Sequence, residues 1–111
     1  MSLNADLEVE LTAATAAMRS LFKPTPLHKN EYLSHLYGAE IWLKREDISP
    51  VRSYKIRGAI NFFRAYLAKG GTSQRFVCAS AGNHAQGFAF VCRAEKKHGT
   101  ILSRSPRHSR K

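Results

Sequence analysis

Acidic residues are scarce in this chain: eight Asp and Glu among 111 residues, against eighteen Lys and Arg and a net charge of +10. Such an excess ordinarily signals a polyanionic partner. Yet no basic stretch is interleaved with aromatic residues that could stack on bases. Four of the bases lie in residues 101–111, which hold no acid. The remaining hundred residues carry fourteen bases against eight acids, +6, and the signs alternate there, as in Lys44-Arg45-Glu46-Asp47. No nucleic-acid partner is expected, and a non-catalytic basic binding or interaction module is the secondary reading, resting on the tail's charge. Long apolar runs are also missing: nothing approaches the roughly 18–20 residues that span a bilayer, so no membrane partner is expected. Asp6, Glu8 and Glu10 precede the first base, Arg19, which argues against a secretory signal or transit peptide and for the cytoplasm. Cysteine is limited to Cys78 and Cys92, each in an apolar stretch, and both read as buried thiols. The five histidines show no metal-ligand spacing, so no metal is expected.

What is present is a run of alternating elements on a length suited to one domain. Asn4 is placed to cap a helix reaching about Arg19, with Leu7, Leu11, Ala14 and Met18 at helical spacing. Lys23-Pro24-Thr25-Pro26-Leu27 must be extended, because each proline fixes its own backbone and restricts its predecessor. A short helix from Glu31 to Tyr37 ends at Gly38, a natural C-terminal cap, and Glu40 to Lys44 reads as a strand. A second strong helix runs from about Ser53 to Lys69, with Ile56, Ile60, Phe63 and Leu67 in one apolar stripe. A strand at Arg75–Ala79, a small-residue loop, a helix from about His84 to Ala94 and a strand at Gly99–Leu102 complete the series. Strand, helix, strand, helix, strand is the pattern of parallel α/β architecture. Such sheets are normally wider than three strands and covered on both faces, so the chain reads as the beginning of a fold.

Two segments could carry chemistry. In Arg52-Ser53-Tyr54-Lys55-Ile56-Arg57-Gly58-Ala59, Ser53 is placed to cap the helix, which puts Lys55 in its first turn. There the positive end of the helix dipole, with the like charges of Arg52 and Arg57, favours a neutral amine, the form that attacks a carbonyl. A solvated lysine on an amphipathic helix is the commoner occurrence of such a pattern. In Ser80-Ala81-Gly82-Asn83-His84, which follows a strand and opens a helix, backbone donors and small residues suit a carboxylate or phosphate. An ordinary strand-to-helix turn has the same spacing. Trp42 and Tyr54 are, on their own, packing residues.

Together the segments LKREDISPVRSYKIRGA and VCASAGNHAQGFAF, with Thr25-Pro26-Leu27 ahead of them, resemble the threonine dehydratases (threonine ammonia-lyases) over residues 20 to 100. These are pyridoxal-phosphate enzymes of the tryptophan-synthase β-like fold, fold type II. Cysteine and threonine synthases tend to place an acid directly after the attachment lysine. Here Ile56 follows Lys55, and Arg57-Gly58-Ala59 completes the dehydratase-like form. The wording VRSYKIRGA looks most like the biosynthetic enzyme of Gram-positive bacteria, with serine/threonine dehydratase and serine racemase relatives as the alternative. The resemblance implies an α/β chain forming part of a parallel three-layer sandwich, and pyridoxal 5'-phosphate as cofactor. It implies Lys55 as the cofactor-attachment residue and as base on the substrate α-carbon. Tyr54 would lie near the cofactor ring, and Asn83 would hydrogen-bond its phenolic oxygen. Ser80, Gly82, Asn83 and His84 would cradle the substrate carboxylate. The implied reaction is conversion of the small-molecule substrate L-threonine to 2-oxobutanoate and ammonia, a step of isoleucine biosynthesis. Full-length relatives are homo-oligomers, several times longer, and their glycine-rich phosphate loop lies further along than residue 111, so this chain alone is expected to be inactive.

Residues 1–101 are therefore expected to be the N-terminal part of the catalytic domain, and residues 102–111 an out-of-frame basic tail. The family usually continues with a segment like Pro-Val-Thr-Thr-Pro-Gln-Gln-Lys. One coding of that peptide, read one base later, yields Arg104-Ser105-Pro106-Arg107-His108-Ser109-Arg110-Lys111.

Overall fold

The computed structural model describes residues 3–104, so most of the basic tail expected from residue 102 lies outside the described residues. Helix α1 (Leu3–Arg19) leads into the extended proline segment and a short strand β1 (Leu27–Lys29). Helix α2 (Glu31–Tyr37), strand β2 (Trp42–Lys44) and a 3₁₀ turn (Glu46–Ile48) follow. The second half is helix α3 (Lys55–Ala68), strand β3 (Arg75–Ala79), helix α4 (Asn83–Ala94) and strand β4 (His98–Leu102).

The α/β alternation is as expected, but the three strands do not form one parallel sheet. β3 and β4 pair in parallel from Arg75 opposite His98 to Ala79 opposite Leu102. β2 instead pairs antiparallel with β1, Leu27 opposite Lys44 and Lys29 opposite Trp42, in a separate sheet. The ribbon extends past both strands, with Arg45 N donating to Pro26 O at 2.9 Å and Asn30 N to Ile41 O at 2.8 Å. β1 gives no sequence signal because three residues are too few to show alternation, and the adjacent prolines mark only extension.

The short helix α2 has the bounds read from its sequence. Asn30 Oδ1 accepts from Leu33 N at 2.8 Å at one end, and Gly38 closes the other at φ 60°, a conformation open to glycine. Helix α1 departs from expectation: Asn4 lies inside it rather than capping it, and Leu7 and Leu11 are exposed. Its C-terminal half supplies Ala14, Ala17 and Met18 to the core, and further toward its start Glu10 accepts from Arg64 of α3 at 2.6 Å.

That core is built between α3 and α4. Ile56, Ala59, Ile60 and Phe63 of α3 meet Phe88, Val91 and Cys92 of α4, with Cys78 of β3 beneath. Ile56, Phe63 and Val91 are the most completely buried side chains, each contributing about 1.5–3 kcal/mol of apolar burial. Phe63 also packs against Phe76 at 4.5 Å between ring centroids. Leu67, the fourth member of the predicted stripe, is 37% exposed because α3 outruns the core there. Both cysteines are free and buried, as expected. Val77, Ile101 and Leu102 leave apolar surface on the parallel pair uncovered. Among the described residues no helix is long and apolar enough to cross a membrane, and no group of side chains could hold a metal ion.

Candidate active site

Lys55 is the first residue of α3, but the turn before it is not the serine cap expected from its sequence. Tyr54 takes the N-cap position, and its side chain makes no capping hydrogen bond. Ser53 is occupied through its backbone: Ser49 Oγ donates to Ser53 O at 2.9 Å and accepts from Ser53 N at 3.0 Å. The Ser53 hydroxyl is buried without a partner among the described residues. Arg52 adopts a left-handed backbone, φ 57°, unusual for a non-glycine residue, to turn the chain into the helix. A loop closed by buried hydrogen bonds thus delivers Lys55 to the start of a helix whose next residue, Ile56, is fully buried.

The half-buried side chain of Lys55 makes no ion pair or hydrogen bond among the described residues. Its Nζ stands 5.1 Å from the centroid of the exposed Tyr54 ring. The like charge expected from Arg57 is not delivered to Lys55. Arg57 is bound to Glu46, Nε to Oε2 at 2.8 Å and Nη2 to Oε1 at 2.7 Å. This guanidinium holds the Glu46 carboxyl below its ordinary value, against burial and with help from the Thr25 hydroxyl. The same pairing raises Arg57, which stays charged. Arg45 takes Asp47 in the same way, at 2.8 and 2.7 Å.

The second segment links β3 to α4. Ser80 N continues the β ladder to Leu102 O at 3.0 Å, and Ser80 Oγ accepts from Gly82 N at 3.2 Å. Gly82 is the N-cap of α4 with no side-chain cap, and Asn83 and His84 are its first two residues, both exposed. The first amides of α4 therefore lack intrahelical partners and face outward as donors.

The two segments meet through the packing of α3 on α4. A carbon added at Gly87 would stand 3.0 Å from Lys55 O and 3.1 Å from Ile56 N, so the two backbones approach closely and a larger residue would crowd them. Gly87 is one turn past Asn83, which places the starts of both helices side by side. His84 and Gly58 line the same apolar recess of about 260 Å³, walled by Phe62, Phe63, Phe76 and Phe88. Sequence reasoning passed over Gly87, the Glu46–Arg57–Thr25 cluster and Ser49. The signal for the first was a glycine inside an otherwise regular helix.

An amine at one helix start beside uncapped amides at another is an arrangement that can hold an aldehyde bearing an anionic group. Comparison with known proteins identifies which. A family model described as "Pyridoxal-phosphate dependent enzyme" matches residues 18–109. The chain belongs to the pyridoxal-phosphate dependent enzymes. Relatives named "L-threonine dehydratase biosynthetic IlvA" include that of Corynebacterium glutamicum, 49% identical over 92 residues, 83% of this chain and 21% of the relative. That of Bacillus subtilis is 49% identical over 85 residues, 75% of this chain and 20% of the relative. That of Mycobacterium tuberculosis H37Rv is 41% identical over 103 residues, 91% of this chain and 24% of the relative. The chain thus spans a quarter or less of the length of the curated relatives it matches. The family resemblance read from the two sequence segments is confirmed.

Proposed function

We propose that this chain carries the cofactor-attachment segment of a threonine dehydratase, with Lys55 as the attachment residue. The observation that carries the reading is the Gly87–Lys55 backbone contact, which packs the helix start bearing Lys55, a half-buried residue with no acidic partner among the described residues, against the first turns of α4. These residues suit pyridoxal 5'-phosphate: a primary amine for its aldehyde, an aromatic ring at Tyr54 beside that amine, and an amide side chain at Asn83 for a phenolic oxygen. When bound, the cofactor supplies the electron sink for bond cleavage at the α-carbon of an amino acid.

The chain's own residues would do the following. Lys55 Nζ holds the cofactor and, once displaced, takes the proton from the substrate α-carbon. Ser80, Gly82, Asn83 and His84 bind the substrate carboxylate at the positive end of α4. The substrate would be L-threonine, as in the threonine dehydratases this chain is similar to, and the products 2-oxobutanoate and ammonia. The uncovered apolar faces at Val77, Ile101 and Leu102 support placing these elements inside a larger parallel three-layer sandwich.

The test is titration of the purified chain with pyridoxal phosphate, following the visible absorbance that marks its covalent attachment to an amine. A band present in the wild type and lost in Lys55→Ala is the expected result. A band unchanged by that substitution, or none at all, would overturn the assignment of Lys55.

A further inference from the structure

Helix α3 begins without a side-chain cap, so its first turn is held by whatever its own side chains reach. Arg57 reaches furthest. Besides its two bonds to Glu46 it donates from Nη2 to Thr25 Oγ1 at 3.1 Å, and Thr25 donates its hydroxyl to Glu46 Oε1 at 2.5 Å. Lys44 Nζ donates to the Thr25 carbonyl, and the Arg57 guanidinium stands 5.5 Å from the centroid of the Phe22 ring. Thr25 and Phe22 are buried, and the Arg57 and Glu46 side chains are 28% and 18% exposed. Charge-assisted, two-point bonds in so sheltered a place fix geometry more strongly than a surface ion pair does. Three segments of chain, around residues 22–25, 46 and 57, are thereby joined through one guanidinium.

Residues two apart on an α-helix differ in direction by about 200°. Arg57 is therefore anchored on the side of α3 away from Lys55, while the Lys55 carbonyl rests on Gly87. The helix start is held at both points, and the Lys55 amine is left without an ion pair or hydrogen bond among the described residues. Glu46 pairs directly with Arg57, and what the cluster supplies to Lys55 is position.

We propose that Arg57, Glu46 and Thr25 are positioning residues for the Lys55 amine, holding the first turn of α3 so that Nζ meets the cofactor aldehyde in one orientation. This rests on the reading of Lys55 as the attachment residue, and the experiment separates the two. The full chain and its Arg57→Lys, Thr25→Val and Thr25→Ser variants are incubated with pyridoxal phosphate, reduced with borohydride and peptide-mapped. The readout is the share of label at Lys55 relative to the other lysines, taken at a temperature where circular dichroism shows each variant folded. Arg57→Lys keeps the charge but loses the two-point bond, and Thr25→Val keeps the volume but loses the hydroxyl. Each is expected to lower the Lys55 share at least fivefold, and Thr25→Ser to hold it within twofold of wild type. An unchanged share in the folded variants overturns the proposal. If the wild type itself shows no preference for Lys55, the attachment reading fails, and amide exchange at residues 55–58 then decides the positioning claim. At least tenfold faster exchange in Arg57→Lys and Thr25→Val supports it, and unchanged exchange overturns it. Should Arg57→Lys not fold, the Thr25 pair carries the same comparison.

Discussion

Gly87 of α4 lies directly against the backbone of Lys55 in α3: a methyl group there would stand 3.0 Å from the Lys55 carbonyl oxygen and 3.1 Å from the carbonyl carbon. The neighbour is backbone at a helix start, which cannot rotate aside as a side chain can. In Gly87→Ala the gain in helix propensity, up to about 1 kcal/mol, is opposed by an overpacking cost of about 1–3 kcal/mol. The variant is expected to be destabilised by up to about 2 kcal/mol, read as a lower urea midpoint, and to react with pyridoxal phosphate less selectively at Lys55.

Gly58 gives the contrasting case in the same pair of helices. It sits within α3 and a methyl group there would meet nothing within 4 Å. Gly58→Ala is expected to stabilise the chain by about 0.5–1 kcal/mol through helix propensity alone. Thermal melts of the two alanine variants should move in opposite directions; movement in the same direction would show that Gly87 is not a packing constraint.

Glu46 sets an acid limit on stability. Its carboxyl is held below its ordinary value of 4.5, chiefly by the Arg57 hydrogen bonds. A group lowered by folding stabilises fully above its unfolded value and loses that contribution as pH falls through its folded value. The Glu46–Arg57 contribution is therefore expected to be present at neutral pH and to be lost progressively below about pH 4.5. In Glu46→Gln the stability at neutral pH should be lower and the fall below that pH shallower. Urea unfolding at a series of pH values measures both.

The Cys92 thiol is pushed above its ordinary value of 9.0, first by burial and second by the neighbouring Cys78. A raised thiol stays neutral and slow to react in the folded state, and the stability it favours is lost as pH rises above 9.0. Alkylation of Cys92 at neutral pH should accelerate at least tenfold on adding urea through the unfolding transition. Equal rates with and without urea would show that the α4 face is not packed.

Phe63 is the largest fully buried side chain among the described residues, 2% exposed and with its ring near those of Phe62, Phe76 and Phe88. Phe63→Ala should cost about 3–5 kcal/mol, a large part of the stability of a domain this size. Circular dichroism should show a broad or absent thermal transition in that variant.

Much of this was legible along the chain because it depends on near neighbours. The end of helix α2 could be placed at Gly38, since a C-terminal cap is a contact between residues three or four apart. Ile56, Ile60 and Phe63 could be placed in the core because helical spacing puts them on one side. The Lys55 segment could be tied to a family because the resemblance rests on residue types and their order along the chain, and the family model matches residues 18–109.

Tertiary structure alone decided the rest. That β2 pairs with β1 and not with β3 depends on hydrogen bonds between strands too short to show a pattern. That Ser53 gives up the cap position depends on Ser49, which occupies its backbone. That Arg57 serves Glu46 and Thr25, 11 and 32 residues away, rather than the field at Lys55, depends on where three segments cross. The residue types of a site are written locally. The side of a helix on which each is used is settled by packing between distant parts of the chain, and for Lys55 by close packing against a glycine 32 residues further on, where a side chain would crowd the backbone.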